Sequence, residues 1–220
     1  MWPANYHAPE SLAELHGLLA TYGTDARLFV GGTDVLVRLR HGDMKPPALI
    51  DLKRVHELSD RPEPHGESIR IGARVTMTTL LGDERMRRSF PALLEAAAVV
   101  GSVQIRNRAT LVGNVCNASP AADTVPVLLV HGAAVNIASP WGERQLPLAQ
   151  FFVGPGRTVL QPGDVVISLD IPNPARSSGA AFGRLTRRRG VDLATINLSV
   201  LLGAGRPPRM AFGGVAPPPI

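Results

Sequence analysis

The chain has 220 residues, 45% of them hydrophobic and 19% charged, and carries a net charge of +5. That length can bury a substantial core, the composition is that of an ordinary globular protein, and no apolar run approaches the ~20 residues a membrane helix requires. The opening "MWPANYHAPESLAELHG" lacks the basic-then-apolar order of a secretory leader, so the expected compartment is the cytoplasm.

Taken in chain order, Ser11 followed by Glu14 is a capping-box signature, with Leu12, Leu15, Leu18 and Leu19 at helical spacing and Gly23 as the stop. "ARLFV" (26–30) predicts a short buried strand, "DVLVRLRHG" a brief helix, and "ALIDL" (48–52) a second strand, together a small parallel α/β unit. The polar, Pro-rich "SDRPEPHGES" (59–68) marks a boundary. "IRIGA" restarts a strand at Ile69, Thr76 caps a following helix, and Pro91 opens the helix "PALLEAAAVV". A loop is expected from Gly101 to Ala122, then a helix "DTVPVLLVHG" capped by Asp123. "AAVNIAS", "GERQLPL" and "DVVISLDI" follow as strands with turn chemistry at "SPWG" and "QPGD". Beyond Asn173, Ala194, Ile196, Leu198 and Val200 alternate with Thr195, Asn197 and Ser199, the pattern of a half-buried antiparallel strand. "RMAFGGV" reads as another strand. The expected organisation is α+β, with a unit over 1–58, a larger one over 59–175, and the start of a shortened third over 176–220.

Much chemistry has no residues to support it. The single cysteine, Cys116, excludes an internal disulfide and an iron–sulfur cluster held by this chain alone, since a cluster needs about four cysteines. No G-x-S-x-G, H-E-x-x-H, C-x-x-C or G-K-[ST] occurs, and the six histidines lack metal-ligand spacing, so neither a catalytic residue nor a metal ligand is expected. Few aromatics and no basic–aromatic interleaving argue against nucleic acid as the partner of the basic excess. Two glycine-containing stretches remain. In "FVGGTDV" a strand runs into Gly31, Gly32, Thr33 and Asp34. Glycines let backbone N–H groups approach an anion closely, but a plain strand-to-helix turn has the same look. "RNRATLVGNVCNASPAAD" supplies Thr110, Asn114, Asn117 and Ser119 as donors, Gly113 for close approach, Asp123 as an acceptor, and Arg106 and Arg108 upstream. An Asx/ST-turn loop bonding to itself is the alternative.

The ordered blocks "RLFVGGTDVL", "LIDLKRVHEL", "IRIGARVTMTTL", "VQIRNRATLVGNVCNASPAADTVPVLL" and "LTRRRGVDLATINLSVLL" resemble the FAD subunit of molybdenum hydroxylases, a group with aerobic carbon monoxide dehydrogenase and xanthine dehydrogenase. The resemblance implies a flavin-binding fold of the vanillyl-alcohol-oxidase (PCMH) type and an oxidoreductase subunit. It places FAD on Leu28, Phe29, Val30, Gly31, Gly32, Thr33, Asp34 and Val35, and on Thr110, Leu111, Val112, Gly113 and Asn114. Ser119 and Asp123 lie along its ribityl arm or the neighbouring flavin. It further implies a large molybdopterin-binding subunit and a small [2Fe-2S] subunit, joined as a dimer of heterotrimers, with electrons reaching FAD and leaving to an external acceptor. A self-sufficient flavin oxidoreductase of the same fold is the nearer rival, and a basic binding module the distant one.

Three departures from the family pattern are visible. Val112 stands where the family's T-I-G-G-N has its first glycine, and a β-branched residue resists positive φ. Where the family has a lysine near the flavin, Arg184 is the nearest cation here, which the resemblance makes a candidate FAD-binding residue, within a run that continues to Arg187, Arg188 and Arg189. The family's C-terminal domain also continues further past the position of Ile220.

Overall fold

The computed structural model describes residues 5–215. Its first layer is a three-stranded parallel sheet ordered β1–β3–β2, built from β1 (Asn5–His7), β2 (Arg27–Phe29) and β3 (Ala48–Asp51). The crossovers are α1 (Leu12–Tyr22) and α2 (Val35–His41). The Ser11 hydroxyl accepts from the Glu14 N–H at 3.2 Å and the Glu14 carboxylate from the Glu10 N–H at 2.8 Å, so α1 begins where the capping signature put it. Leu15 and Ile50 are fully buried between helix and sheet, and truncating either to Ala would cost about 2–5 kcal/mol. The first strand, β1, carried no periodic signal because it is only three residues long.

The second layer is a five-stranded antiparallel sheet ordered β4–β5–β10–β6–β7. The Pro-rich stretch expected to be a boundary contains β4 (Pro62–His65), which hairpins onto β5 (Ser68–Gly72). Its prolines are tolerated because β4 is an edge strand, where a missing N–H breaks no ladder. Between β5 and the rest of the sheet come α3 (Met77–Gly82), α4 (Glu84–Ser89), α5 (Pro91–Ala98), α6 (Val103–Arg106), α7 (Leu111–Cys116) and α8 (Thr124–His131). The strands β6 (Ala134–Ser139), β7 (Gly142–Pro147), the small hairpin β8 (Phe152–Gly154) and β9 (Arg157–Thr158), and β10 (Val165–Pro172) complete the unit. One face of the sheet packs on α7 and α8. The other carries a cross-strand polar ladder. Arg70 and Asp170, register partners, form a two-pronged ion pair at 2.7 and 2.8 Å, and Gln145 donates to both Asp170 and Asn136.

A third sheet, β11 (Ser178–Leu185), β12 (Ile196–Gly203) and β13 (Arg206–Gly213), is antiparallel and packs on α5 and α8. The alternation over 194–200 does form a strand, yet the buried side is the polar one: Asn197 is 1% and Ser199 0% exposed, while Ile196, Leu198 and Val200 are half-buried. The polar groups that donate can turn inward because they find acceptors, although the Asn197 Oδ1 is left without a protein donor. Asn197 donates to Asp123 and the Ala121 carbonyl, and Ser199 donates to the Ala181 carbonyl. Among the described residues no helix is long and apolar enough to cross a membrane.

The end of α8 carries a titration consequence. His131 is buried edge-on to Phe90 with ring centroids 5.1 Å apart, and its Nε2 has no hydrogen-bond partner. Burial first, and the nearby Arg209 second, push its pKa from 6.5 down to about 4. The unfolded chain therefore takes up a proton near pH 6.5 that the folded chain refuses until about pH 4. Unfolding free energy should fall across that window by up to about 3 kcal/mol. Urea melts of the native protein and of His131→Leu, run from pH 7.5 to 4.5, should show the substitution flattening this part of the profile.

Candidate functional site

The carboxyl ends of the three parallel strands point to one edge of the first sheet, the position where open α/β sheets receive ligands. There β2 gives way to Val30, Gly31, Gly32, Thr33 and Asp34 before α2. Gly32 has φ of 70°, a conformation that L side chains resist, and its carbonyl accepts from the Leu36 N–H at 2.9 Å. Among the described residues, the N–H groups of Gly31, Gly32, Thr33, Asp34 and Val35 donate to no protein acceptor. Because the Gly32 carbonyl accepts the first i→i−4 bond, those of Gly32 to Val35 are the four orphans of any helix start, and that of Gly31 extends the row. Successive unpaired N–H groups are the donor set by which backbone holds anions. Leu28 and Phe29 are half-buried beneath this turn.

The second stretch is not the open loop that its small polar residues suggest. Residues 103–106 form α6 and 111–116 form α7. Thr110 is the cap of α7: its hydroxyl accepts from the Gly113 N–H at 3.0 Å. Leu111, Val112, Gly113 and Asn114 are thus the first helical turns, and Val112 is 4% exposed with no positive φ demanded of it. The departure at Val112 therefore strains nothing. The Ala109 carbonyl accepts from the Met77 N–H at 2.8 Å and the Leu111 N–H donates to the Val75 carbonyl at 3.2 Å, fixing the cap against the start of α3. Asn114 accepts from the Thr124 hydroxyl at 2.7 Å, tying α7 to α8. At the far end of α7, Ala118 takes φ of 50°, the one non-glycine in that region among the described residues, just before Ser119.

The two stretches meet at backbone distance. A Cβ on Gly31 would overlap the Arg108 carbonyl oxygen and lie 3.1 Å from the Ala109 Cα. Beside this contact the Asp34 carboxylate accepts from Asn117 Nδ2 at 3.3 Å, so it is drawn toward α7 and makes no cap bond to its own helix. Arg106, upstream, is tied to the Val100 and Gly101 carbonyls.

Asp123 does not cap α8; its backbone is helical and its carboxylate faces the third sheet. Oδ2 accepts from Arg184 Nη1 at 2.8 Å and Oδ1 from Asn197 Nδ2 at 3.0 Å. Burial pushes the carboxyl above its usual range, while Asn197 and Arg184 pull it back. Arg184 is engaged on every side, reaching also the Val99 and Asp192 carbonyls. It reads as an internal strut rather than a free cation, and Arg187 and Arg188 likewise lean on Asp192. Sequence reasoning missed Asn197, whose only signal was a place on the polar half of an alternating strand. It also missed Tyr6, Asp51 and Lys53, which cluster at the carboxyl edge beside the first turn.

This arrangement has close counterparts. The family described as "FAD binding domain in molybdopterin dehydrogenase" matches residues 3–174. The xanthine dehydrogenase FAD-binding subunit of Escherichia coli O157:H7 is 35% identical over 222 residues, spanning 99% of this chain and 76% of the relative. The carbon monoxide dehydrogenase medium chain of Hydrogenophaga pseudoflava is 32% identical over 197 residues, 90% of this chain and 68% of the relative. Among solved structures, carbon monoxide dehydrogenase from Hydrogenophaga pseudoflava superimposes with a TM-score of 0.94 at 30% identity, covering 100% of this chain and 78% of that one. Quinoline 2-oxidoreductase from Pseudomonas putida 86 does so with 0.91 at 31%, covering 100% and 77%. The chain therefore belongs to the FAD-binding domain family of the molybdopterin dehydrogenases, as an FAD-binding subunit of the molybdenum hydroxylase type.

Proposed function

We propose that the unpaired N–H row from Gly31 to Val35 holds the FAD pyrophosphate, with the capped start of α7 (Thr110 to Asn114) facing it across the Gly31–Arg108 contact. That row carries the reading: the four N–H groups of the helix start, extended by that of Gly31 and with no protein acceptor, are donors of the kind that the oxygens of a diphosphate accept from. The obvious objection, a carboxylate beside a phosphate, is met by Asp34 being turned to Asn117. Ser119 and Asp123 would line the polyol and flavin side. Each Asp123 oxygen receives one hydrogen bond and keeps acceptor capacity for a hydroxyl. The bound flavin supplies the redox chemistry, while the protein binds, orients and tunes it.

In the assembled enzyme this chain would take electrons from [2Fe-2S] clusters on a small subunit, fed by a molybdopterin-binding large subunit, in a dimer of heterotrimers. Its own single cysteine cannot ligate such a cluster, which is why the clusters are assigned to a partner. The three sheets support reading 1–58 and 59–175 as the two FAD-binding units and 176–220 as the start of a third. The exposed Arg187 and Arg188 offer a cationic edge to a partner.

Reconstitution of the flavin-free chain with FAD should give a yellow protein with quenched flavin fluorescence; a colourless protein would overturn the assignment. Gly32→Asp forces a side chain into positive φ at about 1–2 kcal/mol and adds a negative charge, so FAD affinity should fall roughly 10–100-fold. Asp123→Ala is a poor probe, because it strips a buried partner from Arg184 and would cost about 3–5 kcal/mol of folding on that ground alone. Gly31→Ala should separate the two segments, costing about 1–3 kcal/mol in a urea melt. Gly17→Ala, exposed in mid-helix with nothing near its added Cβ, should instead gain about 0.5–1 kcal/mol.

A further inference from the structure

We infer that Lys53 is a positioning residue for the anion-holding turn: by binding the Val30 carbonyl it fixes which way the Gly31 N–H points. This rests on the assignment of FAD pyrophosphate to that turn. Lys53 Nζ lies 3.4 Å from the Val30 carbonyl oxygen and 4.8 Å from the centroid of the Phe29 ring, and it is ion-paired with Asp51. The described chain contains no cis peptide bond. In a planar trans peptide the carbonyl and the following N–H point to opposite sides. Holding the Val30 carbonyl toward Lys53 therefore turns the Gly31 N–H away from it, to the side where no protein group accepts. Gly31 itself, having no Cβ, exerts little restraint on that peptide plane, so an outside anchor has something to decide.

The anchor is itself anchored. Asp51, at the end of the central strand β3, is buried, and it accepts from the Tyr6 hydroxyl at 2.7 Å, from the Lys53 N–H at 3.0 Å and from the Lys53 ammonium. Burial alone would raise the Asp51 pKa, but the bonds from Lys53 and Tyr6 outweigh it and hold the carboxyl below the usual range. It stays ionised, and the ammonium stays paired. All three strands of the first sheet thus contribute: β1 through Tyr6, β3 through Asp51, and β2 through Phe29 at its end and Val30 just beyond. The phenyl face supplies a cation–π contact that keeps the Lys53 stem against the turn. Lys53 is one of only two lysines in a chain whose other cationic side chains are arginine or histidine. A flexible ammonium can bind a carboxylate, a carbonyl and a ring face at once.

The test measures ligand affinity with the full flavin-free chain, using FAD, ADP and riboflavin as probes. Lys53→Met keeps the apolar stem and removes the donors; FAD and ADP, which carry the diphosphate, should bind about tenfold more weakly, while riboflavin, which lacks it, should be unaffected. Lys53→Arg, able to donate to both the carbonyl and the carboxylate, should recover most of the loss. Tyr6→Phe, which loosens Asp51 without touching the turn, should show a smaller change of the same sign. Equal FAD binding by native protein and Lys53→Met would overturn this inference alone. An equal loss for all three probes, or no recovery with Lys53→Arg, would show a merely structural role and overturn it as well. Failure of the native protein to bind FAD or ADP would overturn the pyrophosphate assignment and this inference with it.

Discussion

The backbone approach of Gly31 to the Arg108–Ala109 segment is the constraint on which the candidate site depends. One segment follows β2 and the other joins α6 to α7, nearly eighty positions apart, yet they touch where no side chain fits between them. Each side is held by its own layer: Gly31 by the end of a strand in the parallel sheet, Ala109 by the Met77 N–H at the start of α3, which its carbonyl accepts. A contact of this kind fixes the spacing between the two segments. Binding groups placed on the ends of packed elements need little reordering when a ligand arrives.

The polar interior of the third sheet has a related logic. Asn197 faces inward to donate to Asp123, at the start of α8, and Ser199, on the same side of the strand, donates to the Ala181 carbonyl. An aspartate buried beside Arg184 would be costly without hydrogen bonds to its remaining lone pairs. Asn197 supplies one of them, and the sheet turns its polar face in to do so. The apolar face consequently lies outward, with Leu185 and Met210 more than half exposed. In this region the need to satisfy a buried charge outweighs the preference of alternating strands to bury their aliphatic side.

Much of the local structure was legible in the sequence because it is written in short-range chemistry. Ser11 and Thr76 cap the helices they precede, Pro91 opens α5, and "ARLFV", "ALIDL" and "DVVISLDI" are strands. What was misread had signals that compete. "RNRATLVGNVC" is rich in turn-forming residues, yet Thr110 caps a helix there because Ala109 and Leu111 are already pinned to the neighbouring segment. Asp123 stands in a cap position by sequence, but a buried arginine claims its carboxylate.

Local chemistry in the sequence was not enough for β1, β4, α6 or α7, but it was enough for α1, α5, α8 and the strands β2, β3 and β10, for the parallel first unit, for the family and for the two stretches that meet at the site. These follow from spacing, capping and motif order, all of which act within a few residues. Only the tertiary structure decided that Gly31 lacks room for a side chain, that Val112 is helical and unstrained, and that Asn197 rather than its aliphatic neighbours is buried. It alone placed Tyr6, Asp51 and Lys53 beneath the first turn. Each of these depends on atoms brought together from distant parts of the chain, and hydrogen-bond demand and excluded volume at such contacts leave no periodic trace in the residues that meet them.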